Sequence, residues 1–111
     1  MDQNTSLAQD KTKFKCSIEY TQSMLGGKWK LVILWHLAFD GVHRFNEIKR
    51  RLTGVTHKVL SEKLKELEND GFITRIQYNE VPPRVEYSLT EKGMTVIPIL
   101  EAMHKWGTDN W

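Results

Sequence analysis

The segment from residue 56 to residue 69, THKVLSEKLKELEN, most strongly limits the folds open to this chain. Leu60, Leu64 and Leu67 recur at steps of three and four residues, which place side chains on one face of an α-helix. An apolar face of this kind has to be buried against other elements, whereas the opposite face stays in water. The segment therefore predicts an amphipathic helix packed on a core.

Both ends of this predicted helix carry capping residues. Thr56 can accept a hydrogen bond from a backbone N–H one turn later, and Asp70-Gly71 supplies a left-handed stop. The outer face is rich in donors and charge: His57, Lys58, Ser61, Glu62 and Lys65. A helix fits the major groove of B-DNA, about 12 Å wide, and the residues near its N-terminus reach base edges. We predict a recognition helix, and a solvated amphipathic helix without a ligand is the alternative.

A shorter helical pattern precedes the predicted recognition helix. Ile48 and Leu52 have the spacing of an inward face between residues 46 and 52, and Thr53-Gly54-Val55 joins this pattern to the next helix. Two short helices linked by a glycine-containing turn are typical of the helix-turn-helix motif.

Positive charge is concentrated around this motif. The whole chain has a formal net charge of +2 and a pI near 8.7, which are too mild to indicate a nucleic-acid partner. Between residues 44 and 65, however, the acids Glu47 and Glu62 face a larger set of bases: Arg44, Lys49, Arg50, Arg51, Lys58, Lys63 and Lys65. The local excess favours contact with a polyanion.

A β-hairpin is predicted after Gly71, where the apolar period changes to two. The strands run over residues 72 to 78 and 84 to 89. Their connection, residues 79 to 84, is too long and too rich in proline for a two-residue turn. It should project as a semi-rigid loop.

Apolar helices are predicted on both sides of this central region. A first short helix begins at Ser17 and stops at Gly26-Gly27, and residues 28 to 39 are apolar almost all round, as in a helix at the centre of a domain or between two chains. Thr90 can cap a last helix whose apolar band is wider than one core needs. Pro98 should kink or restart that helix, because it lacks a backbone donor.

The composition sets the remaining limits. A chain of 111 residues with 40% hydrophobic content suits one domain, which we place at residues 14 to 111, after a polar, mobile tail at residues 1 to 13. One cysteine excludes an intramolecular disulfide and indicates a reducing compartment. The longest apolar run is too short to span a membrane. We expect a soluble, cytoplasmic protein.

No catalytic or metal-binding pattern is recognisable in the chain. His36, His43, His57 and His104 lack the partner spacing of a metal site. Neither a serine-histidine-acid arrangement nor paired carboxylates can be identified. We therefore expect no enzyme activity, no metal and no cofactor.

Four phrases resemble the HxlR-type transcriptional regulators, which are relatives of the MarR-like winged helix proteins. They are GGKWKLVILWHL at 26 to 37, RFNEIKRRL at 44 to 52, THKVLSEKLKELENDGFI at 56 to 73 and VPPRVEYSLTEKG at 81 to 93. The resemblance covers about residues 16 to 107. It implies an α+β, mostly α, winged helix-turn-helix fold with a two-stranded β wing and a C-terminal dimerisation helix. It also implies a bacterial or archaeal dimer that binds double-stranded DNA.

The resemblance implies roles for particular residues. The residues expected to read bases are Thr56, His57, Lys58, Ser61, Glu62 and Lys65. Those expected to contact the DNA backbone, directly or from the wing, are Arg44, Lys49, Arg50, Arg51 and Arg84. Those expected at the dimer interface are Ile18, Met24, Ile97, Leu100, Met103 and Trp106. Lys58 can donate to guanine, and Glu62 can accept from cytosine or pair with a neighbouring lysine. Arg84 can enter the minor groove or grip its backbone.

Cys16 is a candidate redox sensor. Family members often carry a cysteine before the first helix, and here it precedes a predicted helix N-terminus, whose partial positive charge favours a thiolate, with Lys13 and Lys15 nearby. Ser17 follows where the family often has proline, and a lone cysteine is also a common packing residue. An oxidant would act through a disulfide between subunits or a mixed disulfide.

The sequence thus predicts a homodimeric regulator on a pseudo-palindromic operator, with half-sites about 10 to 10.5 base pairs apart or a multiple of this. One alternative is a winged helix module for protein–protein contact, with no specific DNA site. A further alternative is a ligand-responsive regulator with a small-molecule pocket at the dimer interface near Trp29, Trp35 and Trp106, although these aromatic side chains are also suited to a core.

Overall fold

The protein is described here by a computed structural model that covers residues 13–41 and 43–111. The predicted mobile tail lies outside these residues, apart from Lys13. The described elements are α1 (Ser17–Leu25), α2 (Lys30–Phe39), α3 (Phe45–Arg51), α4 (His57–Asn69), β1 (Ile73–Tyr78), β2 (Arg84–Leu89), α5 (Glu91–Met94) and α6 (Ile97–Asn110). The fold is mostly helical with one two-stranded antiparallel sheet, as predicted.

The hydrophobic core forms around α2, which contacts α3, α4, α6 and β2. Ile33 and Leu34 of α2 are fully buried, as are Ile48 of α3 and Leu60 of α4. The nearly all-round apolar pattern of α2 therefore reflects its central position. It begins at Lys30, two residues later than predicted, with Trp29 as its N-cap, and Gly27 in the preceding turn has a φ of +97°.

The predicted recognition helix, α4, forms between the two predicted capping signals. Thr56 Oγ1 accepts from the Val59 N–H at 3.1 Å. At the other end Gly71 has a φ of +85°, its N–H donates to the Glu68 carbonyl, and the Phe72 N–H donates to the Leu67 carbonyl. These bonds form a Schellman motif, which fixes where the helix ends and the hairpin begins.

The hairpin runs antiparallel from the Ile73–Leu89 pair at its base to the Tyr78–Arg84 pair beside the tip. The segment before α3 also contacts it, because the His43 carbonyl accepts from the Tyr87 N–H at 2.8 Å and His43 Nδ1 donates to the Tyr87 carbonyl at 3.2 Å. The hairpin is therefore attached to the helix-turn-helix at its middle, while its tip projects.

The last apolar segment forms two helices. Thr90 Oγ1 accepts from the Gly93 N–H at 3.0 Å, which confirms the predicted cap, and α5 ends at Met94. The chain then restarts as α6, with Pro98 in its first turn, where a missing backbone donor costs nothing. Of the two outcomes predicted for Pro98, restart is the one observed. None of the helices in the described residues is long and apolar enough to cross a membrane.

Candidate nucleic-acid interface

The outer face of α4 presents the predicted base-reading residues together. Thr56, His57, Lys58, Ser61, Glu62 and Lys65 are all exposed. The opposite face is fixed in the core by Leu60, Leu64 and Leu67, each no more than 1% exposed. Because the buried face cannot rotate, the polar face has one orientation relative to the rest of the domain.

His57 is held at the junction of the two helices of the motif. Its ring centroid lies 4.6 Å from that of Phe45 in α3, with the planes tilted by 44°. This contact keeps the first residue of α4 against α3. Thr56, although used as a cap acceptor, still has its hydroxyl proton available to donate.

A cleft of about 520 Å³ separates α4 from the hairpin. It is lined by Phe45, His57, Ser61, Lys65, Glu68, Arg75, Val85 and Tyr87. Arg75 is exposed and is not among the predicted site residues. The hairpin register could have identified it, because Arg75 pairs with Tyr87 and both side chains therefore lie on the same face of the sheet. Arg75 adds a cation to the wing side of the interface.

A second cleft, of about 760 Å³, lies between α3 and the hairpin. Arg44, Arg50 and Arg84 all line it, together with Glu47 and Glu86. The structure thus brings three of the predicted backbone-contacting arginines to one surface. Lys49 is half-buried on α3 and does not line either cleft.

Arg51 points elsewhere. Its Nη1 lies 3.1 Å from Asp40 Oδ2 at the end of α2, and the same carboxylate oxygen contacts His36 Nδ1 at 2.5 Å. The neighbouring residue Arg50 lies about 100° further round the helix and reaches the cleft instead. Arg51 therefore binds the end of α2 and is less suited to a phosphate than Arg50.

Glu47 fixes the N-terminus of α3. Its Oε1 accepts from the Arg44 N–H at 3.1 Å and from the His43 N–H at 3.3 Å. These two backbone hydrogen bonds, that of Arg44 first, hold the pKa of Glu47 below its ordinary value. Glu47, one of the two acids among the predicted basic residues, therefore positions Arg44.

Lys30 anchors the far side of α4. Its side chain is 9% exposed, and Nζ lies 3.1 Å from Glu66 Oε1 and 3.3 Å from the Met24 carbonyl oxygen. Burial alone raises the pKa of Glu66, but the hydrogen bond from Lys30 and the charges of Lys30 and Lys63 outweigh it, so the pKa lies below its ordinary value. The pair joins α4 to the start of α2, and the hydrogen bond to Met24 joins the same side chain to the end of α1.

Cys16 is exposed and occupies the N-cap position of α1. It lines a surface cavity of about 440 Å³ with Phe14, Ser17 and Tyr20. Across residues 13–41 and 43–111, no group of three or more His, Cys, Asp or Glu is arranged to hold a metal ion.

The residues predicted at a dimer interface divide into two groups. Ile18, Met103 and Trp106 are 73%, 48% and 70% exposed, and Ile97 is half-buried. Met24 and Leu100, by contrast, are buried in the chain's own core. These two side chains have almost no apolar area left to bury against a second chain, and the interface as a whole stays a prediction. Sequence periodicity identifies an apolar band but not which neighbour covers each residue.

Solved structures of regulators share this fold. The redox regulator HypR, in its oxidized form, matches with a TM-score of 0.81 and 46% sequence identity over 86% of this chain and 98% of that chain. A candidate transcriptional regulator of the MarR family from Porphyromonas gingivalis matches with a TM-score of 0.79 and 38% identity over 87% and 94%. The helix-turn-helix, the β wing and these matches define a winged helix transcriptional regulator.

The family model of the HxlR-like helix-turn-helix proteins matches residues 24–111, and the chain belongs to this family. A candidate regulatory protein of Fusobacterium mortiferum, MalR, is 60% identical over 100 residues, which are 90% of this chain and 94% of that protein. An uncharacterized HTH-type transcriptional regulator of Halalkalibacterium halodurans is 50% identical over 109 residues, 95% and 96% of the two chains. The family resemblance seen in the sequence is confirmed.

Proposed function

We propose that the protein is a homodimeric, sequence-specific regulator that binds a pseudo-palindromic operator in double-stranded DNA. The observation that carries the proposal is the single exposed face of α4, on which all the predicted base-reading side chains stand with no buried contact that would remove them from a groove. A helix of this exposure beside a projecting hairpin is suited to enter a major groove while the wing reaches the neighbouring minor groove.

Within this interface the side chains have different tasks. Lys58 and His57 lie at the N-terminal end of α4, where a lysine can donate to guanine O6 and N7 and a histidine to several acceptors. Arg44 and Arg50 stand beside the α3 cleft and suit phosphates, whose contacts set the register without reading sequence. The wing adds Arg84 and Arg75.

A second copy of the chain is the proposed partner for α1 and α6. Ile18, Met103 and Trp106 leave apolar surface exposed on the two helices, and such surface usually marks an interaction site. Two-fold symmetry would place the two α4 helices at half-sites about 10 to 10.5 base pairs apart, or a multiple of this.

An oxidant response through Cys16 is also proposed. It is supported by the exposed N-cap position of the thiol and by the likeness to HypR, a redox regulator solved in oxidized and reduced forms. Two Cys16 thiols, one from each subunit, would lose two protons and two electrons to a peroxide-class oxidant and form one disulfide. A covalent dimer on non-reducing gels after mild peroxide, absent in Cys16→Ser, is the expected result; a wild-type band that stays monomeric would contradict it.

A small-molecule effector is a second candidate signal. A shallow apolar groove of about 250 Å³ runs between α2 and α6, lined by Leu31, Val32, Trp35, Leu100, Met103 and His104. The Trp35 ring is stacked on His104 at 4.8 Å, so most of its surface is used for packing. The support for a small-molecule effector in this groove is therefore weaker than the support for an oxidant response through Cys16.

Selection from a random duplex library tests the DNA-binding proposal directly. The purified protein should enrich a two-fold symmetric sequence, and its affinity for that duplex should fall steeply with salt. Light scattering should give the mass of a dimer. No enrichment together with shallow salt dependence would favour the alternative, a winged helix module that contacts another protein.

A further inference from the structure

The side chain of Arg84, at the start of β2, is held from three sides. Its guanidinium carbon lies 4.2 Å from the centroid of the Tyr78 ring, the residue directly opposite in the hairpin. Nη2 lies 3.5 Å from Glu80 Oε2, and Nε lies 3.3 Å from Glu86 Oε2. As a result the side chain is only 30% exposed, although it stands beside the tip of a surface hairpin.

This cluster belongs to the surface that faces DNA in the proposed complex. Arg84 and Glu86 line the same cleft as Arg44 and Arg50 of α3. Glu80 lies in the connection at the hairpin tip, with its side chain 51% exposed. The carboxylates would therefore stand near the phosphates that the arginines approach.

The charge of the cluster opposes simple phosphate binding. One guanidinium faces two carboxylates, so the net charge of the group is negative. An arginine that only grips the backbone gains affinity by displacing counterions, and adjacent acids reduce that gain. A wing that only bound DNA non-specifically would have a higher affinity without Glu80 and Glu86.

The cluster restricts the rotamers of the Arg84 side chain. A free arginine loses rotamer freedom when it is ordered on binding, which lowers affinity. Here a ring on one flat face and ion pairs with carboxylates at two edges restrict the guanidinium in advance, although the buried Nε makes no hydrogen bond within the described residues. A narrow minor groove has enhanced negative potential that attracts an inserted arginine, and its width depends on base sequence. A pre-ordered arginine can therefore distinguish DNA by groove shape.

We propose that Tyr78, Glu80 and Glu86 are positioning residues that make Arg84 a reader of minor-groove shape, and that the two carboxylates weaken binding to DNA whose groove does not fit. This inference rests on the proposed function, since it assigns a task to the wing of the same interface. It implies that the acids increase specificity while they decrease affinity for other DNA.

The test compares two duplexes: one selected from a random library by the wild-type protein, and the same bases shuffled. In Glu80→Gln/Glu86→Gln the shuffled duplex should bind about 3- to 10-fold more tightly, as expected for two charges at the surface of the wing. The selected duplex should change by less than about 2-fold, because lost orientation of Arg84 offsets the lost repulsion. Tyr78→Leu should weaken the selected duplex more than the shuffled one.

A matched control removes one carboxylate away from the tip. Glu91 is exposed at the start of α5, just after Leu89, and so lies at the base of the hairpin, at the opposite end of β2 from Arg84. Glu91→Gln should change both affinities by less than about 2-fold, because the charge is about a strand length from the tip. Thermal unfolding of every variant should match wild type, which excludes loss of folding as the cause.

A double-mutant cycle separates positioning from simple charge repulsion. In an Arg84→Ala background the two glutamines should shift both duplexes by the same factor, so that the specificity ratio no longer responds to them. Equal tightening on both duplexes with Arg84 present would overturn the inference and leave the proposed function intact. If the library yields no enriched sequence, the proposed function fails and this inference fails with it.

Discussion

The buried Lys30 provides a sharp test of how α4 is held in place. Replacement by methionine keeps an apolar stem in the core and removes the ammonium group that lies 3.1 Å from Glu66 Oε1 and 3.3 Å from the Met24 carbonyl oxygen. Lys30→Met therefore removes the polar contacts of the start of α2 with α4 and with the end of α1 without opening a large cavity. The effect on stability should come from the lost polar contacts.

The expected loss follows from the exposure of the two partners. A hydrogen bond that involves a charged group contributes about 1.5 to 3 kcal/mol, whereas exposed ion pairs contribute about 0 to 1 kcal/mol. The Lys30 side chain is 9% exposed but that of Glu66 is 46% exposed, so the Glu66 carboxylate is rehydrated when its partner is removed. We expect the free energy of unfolding at pH 7 to fall by about 1 to 2 kcal/mol.

The pH dependence has a definite sign. Burial raises the pKa of Glu66, but the hydrogen bond from Lys30 and the charges of Lys30 and Lys63 hold it below its ordinary value. A carboxyl with a lower pKa in the folded state stabilises the fold above its unfolded-state pKa, and this stabilisation disappears as the pH falls through the folded-state pKa. Between about pH 6 and pH 3, wild type should therefore lose more stability than Lys30→Met.

Urea unfolding at fixed protein concentration measures both quantities, since a dimer's apparent stability depends on concentration. Lys63→Met is the matched control, because Lys63 Nζ also faces Glu66, at 3.4 Å, but its side chain is 27% exposed. It should cost less than about 0.5 kcal/mol. Equal losses in the two variants, or a Lys30→Met loss that is the same at pH 7 and pH 3, would refute the reasoning.

Two further predictions concern α4 and its surroundings. Lys58→Ala should weaken the selected duplex by about 1 to 3 kcal/mol and the shuffled one less, whereas Arg50→Ala should weaken both about equally and reduce the slope of log affinity against log salt by about 0.9. A Lys58→Ala loss of the same size on both duplexes, measured by fluorescence anisotropy, would remove its base-reading role. Thr56→Ala should lower the free energy of unfolding by about 1 kcal/mol, because Val59 N–H loses its acceptor. Thr56→Ser should restore it; equal melting temperatures for all three proteins would contradict the cap.

Local rules were sufficient to predict most elements of the fold. The caps Thr56 and Thr90 and the left-handed stop at Gly71 depend on hydrogen bonds and steric contacts within a few residues, whereas at Pro98 the sequence left a kink and a restart as alternatives. The helix α3 shifts by one residue from its predicted range, to Phe45–Arg51, which is the usual uncertainty at helix ends.

Pairs that are distant in the sequence were not predictable in this way. Lys30 meets Glu66, and Arg51 meets Asp40, only because the helices that carry them pack together. The same applies to the restraint on Arg84, which depends on the register that places Tyr78 opposite it.

The amino-acid sequence by itself determined the order of most helices and strands, the donor-rich outer face of α4 and the family to which the chain belongs. Periodicity and capping are properties of neighbouring residues, so they can be read from chain order. Only the tertiary structure decided that Met24 and Leu100 are core residues while Met103 and Trp106 stay exposed, and that Arg51 pairs with Asp40. Burial and ion pairing depend on which elements meet in space, and an apolar or charged residue carries no local mark of its distant partner.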